Sequence, residues 1–125
     1  MCADDFWPDD IGESSVVTPV SILKEQAAAL GPKTKGLVTA EVVPTQSGNP
    51  QYLAYIFSLV APAVSYRYQL LTVTHPISLY PVNAAYKGIN KNLLGEIEFK
   101  AWLKEVLSSE ETKRIVAALI AQSKQ

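Results

Sequence analysis

The chain has 125 residues, of which 48% are hydrophobic and 18% are charged, and its formal net charge is −1. This length and balance fit one folded domain with a buried core and exclude the weakly hydrophobic, highly charged class of disordered chains. The single cysteine, Cys2, excludes an internal disulfide and offers a metal ion only one sulfur ligand.

The first 17 residues form an acidic leader. Residues 1–13 contain five acidic residues and no lysine or arginine, whereas the rest of the chain has eleven basic and seven acidic residues. The acidic start is unlike a secretory signal, and no apolar stretch reaches the ~20 residues that a membrane-spanning helix needs. We therefore predict a cytoplasmic protein with a single domain over residues 18–125 and no membrane partner. Two alternatives are open for the leader: it is a solvated, mobile terminus, or it is partly ordered because Phe6 and Trp7 hold it against the domain or a partner.

The domain is predicted to begin with a helix at Thr18 and Pro19. The threonine hydroxyl can accept a hydrogen bond from an unpaired amide, and a proline in the first helical position lacks the amide that would have no partner. Apolar residues then recur at intervals of three and four, and Gly31 with Pro32 supplies the stop. After Gly36 the period changes to two, which predicts a half-buried strand over residues 37–43.

Three further strands are predicted in the middle of the chain. Residues 51–61 are apolar on both faces, as in a central strand, and residues 66–74 should pair with them in an antiparallel hairpin. In the strand over residues 66–74, one face is predicted to carry Tyr66, Tyr68, Leu70 and Thr72, and the other Arg67, Gln69, Leu71 and Val73. A fourth strand is predicted over residues 77–82, where Pro81 favours an edge position, followed by a polar loop at 87–92.

The last third of the chain is predicted to form two helices. Apolar residues recur at helical spacing from Phe99 to Leu107, and Ser108 with Glu111 three residues later matches a capping box that begins a second helix. The order of elements predicts an α+β fold. In it an N-terminal helix precedes a four-stranded, mainly antiparallel sheet, and two C-terminal helices pack on one sheet face.

The sequence contains no recognisable catalytic or metal-binding cluster. His75 is the only histidine and stands in a predicted turn, where a hydrogen bond that closes the turn accounts for it. No serine lies in a G-x-S-x-G motif, and neither glycine-rich nucleotide motif is present. We therefore predict no catalytic residue, no metal ligand and no cofactor, which favours a protein that is not an enzyme.

Tyrosines on the predicted strands are the remaining functional signal, because an aromatic sheet face that no helix covers can bind a partner. Strand pairing and core packing explain most of them. The candidate binding residues are Trp7, Tyr66, Arg67, Tyr68, His75 and Tyr80.

Three functions follow as hypotheses. The first is a small non-enzymatic protein-interaction domain, of adaptor or immunity type, that binds a protein partner or a second copy through the uncovered sheet face and the leader. The second is nucleic-acid binding by the basic body, with the acidic leader competing for the region of Arg67, Lys87 and Lys91. The third is small-ligand binding, or an enzyme, with a pocket between sheet and helices near His75.

Overall fold

The computed structural model describes Phe6 and residues 17–125. In this part of the chain, three α-helices and five strands follow one another as one helix, five strands and two helices. Among the described helices none is long and apolar enough to cross a membrane. The elements are α1 (Pro19–Lys33), β1 (Thr39–Thr45), β2 (Tyr52–Ala61), β3 (Tyr66–Pro76), β4 (Val82–Tyr86), β5 (Ile89–Leu93), α2 (Glu96–Leu107) and α3 (Glu110–Ser123), with a 3-10 turn at Pro62–Val64 between β2 and β3.

The five strands form one antiparallel sheet in the order β1-β2-β3-β4-β5, so every strand pairs with its neighbour in the chain. The predicted α+β class is therefore confirmed, but the predicted number of four strands is wrong. The error lies after β3. Residues 77–80, predicted as strand, form a connection in which Leu79 has a positive φ of 79°.

The predicted polar loop at 87–92 is the turn and second strand of a hairpin. Lys87 and Gly88 have φ values of 55° and 78°, the left-handed conformation that a two-residue hairpin turn requires. Tyr86 pairs with Ile89, and the pairing continues to Val82 and Leu93. The segment is a strand because of this turn and not because of its own hydropathy.

A bulge divides β3 into two halves. Phe57 of β2 pairs with Leu71, but the next residue, Ser58, pairs with Gln69, so Leu70 is an extra residue in β3. The predicted alternation through this strand is therefore wrong beyond residue 70. Leu71 lies opposite Phe57 on the face that the helices cover, and Thr72 lies on the other face.

The helix boundaries follow from local capping. The Thr18 hydroxyl accepts a hydrogen bond from the Ser21 amide at 3.1 Å, as predicted for the start of α1, but the helix continues two residues beyond Gly31. The start of α3 is one residue later than predicted, because Ser109 and not Ser108 accepts from the Thr112 amide, at 3.2 Å. Ser108 instead ends α2.

The core lies between the sheet and the three helices. Its buried residues come from every helix and from the segment before β1 to the end of β5, and they form one cluster. The opposite sheet face is open to solvent in the described part of the chain. Its side chains are mostly small or polar, including Gln69, Thr72, Thr74 and Asn83.

Candidate functional site

The predicted binding residues do not come together in one site. Trp7 lies outside the described residues. Tyr66, Arg67 and Tyr68 are consecutive on β3, so that the two tyrosines share the helix side of the sheet and Arg67 lies on the open face. Tyr68 packs against the core, and Tyr66 is about half exposed. The open face therefore lacks the strand tyrosines on which the first hypothesis was based, apart from Tyr52 at its margin.

The cations named for nucleic-acid binding are dispersed, and two of them are paired with carboxylates. Arg67 forms an ion pair with Glu41 across the open face, and Lys87 lies 3.5 Å from a carboxylate oxygen of Glu111. Each of these pairs reduces the positive charge that a phosphate backbone would meet. These three cations thus do not form one continuous basic surface for nucleic acid.

His75 is buried inside the sheet-helix core. Its side chain is 1% exposed, its ring stacks on Tyr55 with a centroid separation of 5.9 Å, and Nδ1 lies 2.7 Å from the Pro76 carbonyl oxygen. Its Nε2 atom has no hydrogen-bond partner among the described residues. His75 thus lies within β3 and not in the predicted turn, and its ring is almost completely shielded from solvent.

Tyr80 lies in the connection between β3 and β4 and packs against the core. Its hydroxyl is buried, with no hydrogen-bond partner in the part of the chain that the structure describes. Burial raises the pKa of this phenol, and the nearby carboxylate of Glu96 raises it further, against a smaller opposing effect of Lys100. Tyr80 therefore lies close to Glu96 and Lys100, in the first turns of α2.

Most of the highly exposed apolar side chains lie near this junction, and one, Ile89, lies at the other end of β5. In residues 17–125, four large apolar side chains are more than 60% exposed: Ile77 (80%), Ile89 (63%), Leu94 (65%) and Ile97 (84%). Val82 pairs with Leu93, so the connection that holds Ile77 and the segment that holds Leu94 are at the same end of the sheet. We call residues 89–97 the β5 edge.

The strand of the β5 edge has one unpaired side in the described structure. β5 pairs with β4 on one side only. In a hairpin closed by the Tyr86–Ile89 pair, alternate residues direct their backbone groups away from the partner strand, and in β5 these are Asn90 and Asn92. The outer side of the edge thus offers backbone donors and acceptors to another strand.

Two local polar contacts lie where the β5 edge meets α2. The Leu94 amide donates to a carboxylate oxygen of Glu98 at 3.0 Å, which satisfies a backbone group just before α2. The Lys100 ammonium lies 2.9 Å from Glu96, one turn earlier on the same helix. Ile97 is therefore exposed on an ordered first turn and not on a frayed end.

Of the residues that the sequence analysis names, only Lys91 lies on the β5 edge, and it belongs to the nucleic-acid hypothesis. The available signal was the presence of Ile89, Leu94 and Ile97 in a segment otherwise rich in asparagine, lysine and glycine. Of these residues only Ile89 lies in the predicted polar loop at 87–92, where no helical or strand period is present. No protein-family model, curated protein or solved structure matches the chain.

Proposed function

We propose that this domain is a protein-interaction module that binds an extended segment of another protein at the β5 edge. The observation that carries the proposal is the concentration of exposed apolar side chains. Three of the four large apolar side chains above 60% exposure in residues 17–125 lie in the β5 edge, and the fourth, Ile77, lies in the connection before β4. Exposed apolar side chains next to an unpaired strand are typical of sites where a partner adds a strand.

The partner strand would form backbone hydrogen bonds with Asn90 and Asn92 and cover the apolar side chains at both ends of β5. Complete burial of one isoleucine or leucine contributes about 1.5–3 kcal/mol, so Leu94 and Ile97 are the expected affinity determinants. The backbone bonds would fix the direction and register of the partner and leave its side chains to set specificity.

Lys91 favours a different protein over a second copy. It lies at the centre of β5 and forms no ion pair with the described residues. Two copies paired symmetrically about Lys91 would place two ammonium groups opposite each other, which is destabilising, whereas a partner with an acidic residue there would complement it. We infer a partner segment with an acidic side chain between apolar ones.

We propose the cytoplasm as the setting for this interaction and an adaptor or immunity role as its purpose. The near absence of cysteine supports a reducing compartment, because domains of oxidising compartments commonly carry disulfides. The lack of a grouped catalytic set among the described residues supports binding over turnover.

Affinity capture with charge-matched variants tests the proposal. The full chain, the double variant Leu94→Glu/Ile97→Glu and the control Val43→Glu/Val64→Glu would be used as baits in nuclease-treated lysate of the native host. The control adds the same two negative charges at Val43 and Val64, which are about 40% exposed and lie outside the β5 edge. Quantitative mass spectrometry would compare recovered partners, and circular dichroism would check folding.

We expect a stoichiometric protein partner with the wild type and the control and at least about tenfold lower recovery with the β5-edge variant. Lys91→Glu should also weaken capture if the partner presents an acidic residue. Equal recovery by the β5-edge variant, or loss only in the control, would contradict binding at this edge. Sedimentation of the wild type identifies a second copy as the occupant if it shows a dimer that the neutral variant Lys91→Gln strengthens.

A further inference from the structure

A cleft of about 670 Å³ opens between the three helices and β2. This volume lies within the roughly 300–1,000 Å³ of small-molecule sites. Its floor consists of apolar side chains that are almost fully buried, namely Ile22, Phe57, Leu59 and Leu103. Leu30, Leu107 and Val116 extend this apolar lining along the helices. His75 is not among the residues that line the cleft, so this cleft is not the pocket predicted near that residue.

The hydroxyl groups in the cleft are already occupied by the protein. The Thr112 hydroxyl donates to the Val106 carbonyl oxygen at 2.8 Å, and the Ser108 hydroxyl donates to the Lys104 carbonyl oxygen at 2.6 Å. A polar group of a ligand would therefore lose its hydration on the floor without gaining a donor from these residues. The floor fits a hydrocarbon or aromatic body.

The mouth of the cleft is positively charged. Lys33, Lys100 and Lys104 line it against one carboxylate, Glu25. Lys100 is engaged by Glu96, but within the described residues neither Lys33 nor Lys104 forms an ion pair. Two ammonium groups are thus available at the rim, on α1 and α2, above an apolar floor. Phe6, the leader residue that the structure describes, is 93% exposed and does not fill the cleft.

We propose that this cleft binds an amphipathic small molecule with an apolar body and a carboxylate head, of the class of medium-chain fatty acids. The apolar body would lie on Phe57 and Leu103, and the carboxylate would meet Lys33 and Lys104 at the rim, where charge-assisted hydrogen bonds are stronger than neutral ones. This binding is independent of the β5 edge and requires no protein partner.

Titration of the isotope-labelled full chain with decanoate, kept below its micelle-forming concentration, tests the inference by NMR and calorimetry. Decyltrimethylammonium, which has the same chain length and the opposite charge, is the matched probe. Ala29→Trp places a bulky ring at the cleft mouth, and Ala28→Trp places it at an exposed neighbouring position outside the lining. Lys33→Gln/Lys104→Gln removes the two rim charges.

We expect decanoate to shift the methyl signals of Ile22, Leu30 and Leu103, with binding retained in Ala28→Trp and weakened at least about tenfold in Ala29→Trp. The lysine variant should also bind decanoate more weakly, and the cationic probe should bind more weakly than decanoate. Absence of decanoate binding, equal binding by both tryptophan variants, or preference for the cationic probe would overturn the inference. Each result is independent of partner capture at the β5 edge.

Discussion

The centre of the sheet and its outer hairpin differ in the depth to which their side chains are buried. The central strands β2 and β3 have ten and eleven residues, and the helix-facing side chains near their middle, such as Phe57 and Val73, are buried. The outer strands β4 and β5 have five residues each, and in β5 only Leu93 is buried. We infer that the centre supplies most of the stability, while the hairpin leaves apolar surface for recognition.

Truncation of one apolar residue in each region tests this comparison most strongly. Phe57→Ala should lower the free energy of unfolding by about 3–5 kcal/mol, because it leaves a cavity in the core. Ile89→Ala should change it by no more than about 0.5 kcal/mol, since that side chain is already largely exposed. Urea unfolding followed by circular dichroism measures both. Similar losses at the two sites would refute the division between centre and hairpin.

Substitution of Gly88, in the turn between β4 and β5, should cause the next largest loss of stability. Gly88→Ala places a Cβ on a residue with φ of 78° and should cost about 1–2 kcal/mol. Gly48→Ala is the control, because Gly48 has no positive φ and its added Cβ meets no atom within 4 Å. Hydrogen exchange should show faster opening of β4 and β5 in Gly88→Ala while β2 keeps its protection. Equal stability of the two variants would contradict the proposed turn.

The pH dependence of the free energy of unfolding tests the burial of Tyr80 at the junction between the β4–β5 hairpin and α2. Its pKa is raised above the ordinary value of 10.0, so the folded state favours the neutral phenol. The stability that the folded state gains by keeping this phenol protonated should be present below pH 10. It should be lost as pH rises through the raised folded pKa. Tyr80→Phe should therefore lose less stability than wild type between pH 9 and pH 11.

At pH 7, Tyr80→Phe should be as stable as wild type or more stable, because the buried Tyr80 hydroxyl has no hydrogen-bond partner among the described residues. Urea unfolding at several pH values measures both effects. A loss above about 1 kcal/mol at pH 7 would show that the hydroxyl makes a stabilising hydrogen bond.

The smallest expected change in stability is at the β5 edge itself. Leu94→Glu/Ile97→Glu should alter the free energy of unfolding by no more than about 0.5 kcal/mol per site, because both side chains are exposed in the folded chain. Thermal and urea unfolding of the isolated protein provide the measurement. A large loss would mean that these side chains support the fold, and the capture experiment would then need Leu94→Ser/Ile97→Ser instead.

The sequence predicted those parts of the fold that depend on local chemistry or on burial. Thr18 caps α1 because capping needs only residues close in the chain, and the apolar pattern of α2 identifies it without knowledge of its neighbours. β5 was missed because an exposed edge strand has no buried face to impose an alternation. Its clue was the Lys87-Gly88 turn, which was assigned to a loop.

Other features depend on how distant segments meet. The extra residue Leu70 in β3 is defined only by its pairing with β2, so alternation within β3 gave the wrong face for its second half. The cleft arises where three helices and β2 come together, and no single segment encodes it. The β5 edge could be recognised only from the structure, because the sequence does not show which apolar residues are exposed and which are in the core.

The strand order gives the chain a particular course during synthesis. Because every strand pairs with its neighbour in sequence, the sheet can be complete once Leu93 has left the ribosome, before α2 and α3 are available. Until α2 and α3 have also emerged, only α1 can cover the apolar face that includes Phe57 and Leu71. The nascent chain is therefore most dependent on chaperones in this interval, and a ribosome that stalls before α2 would leave that face open to aggregation.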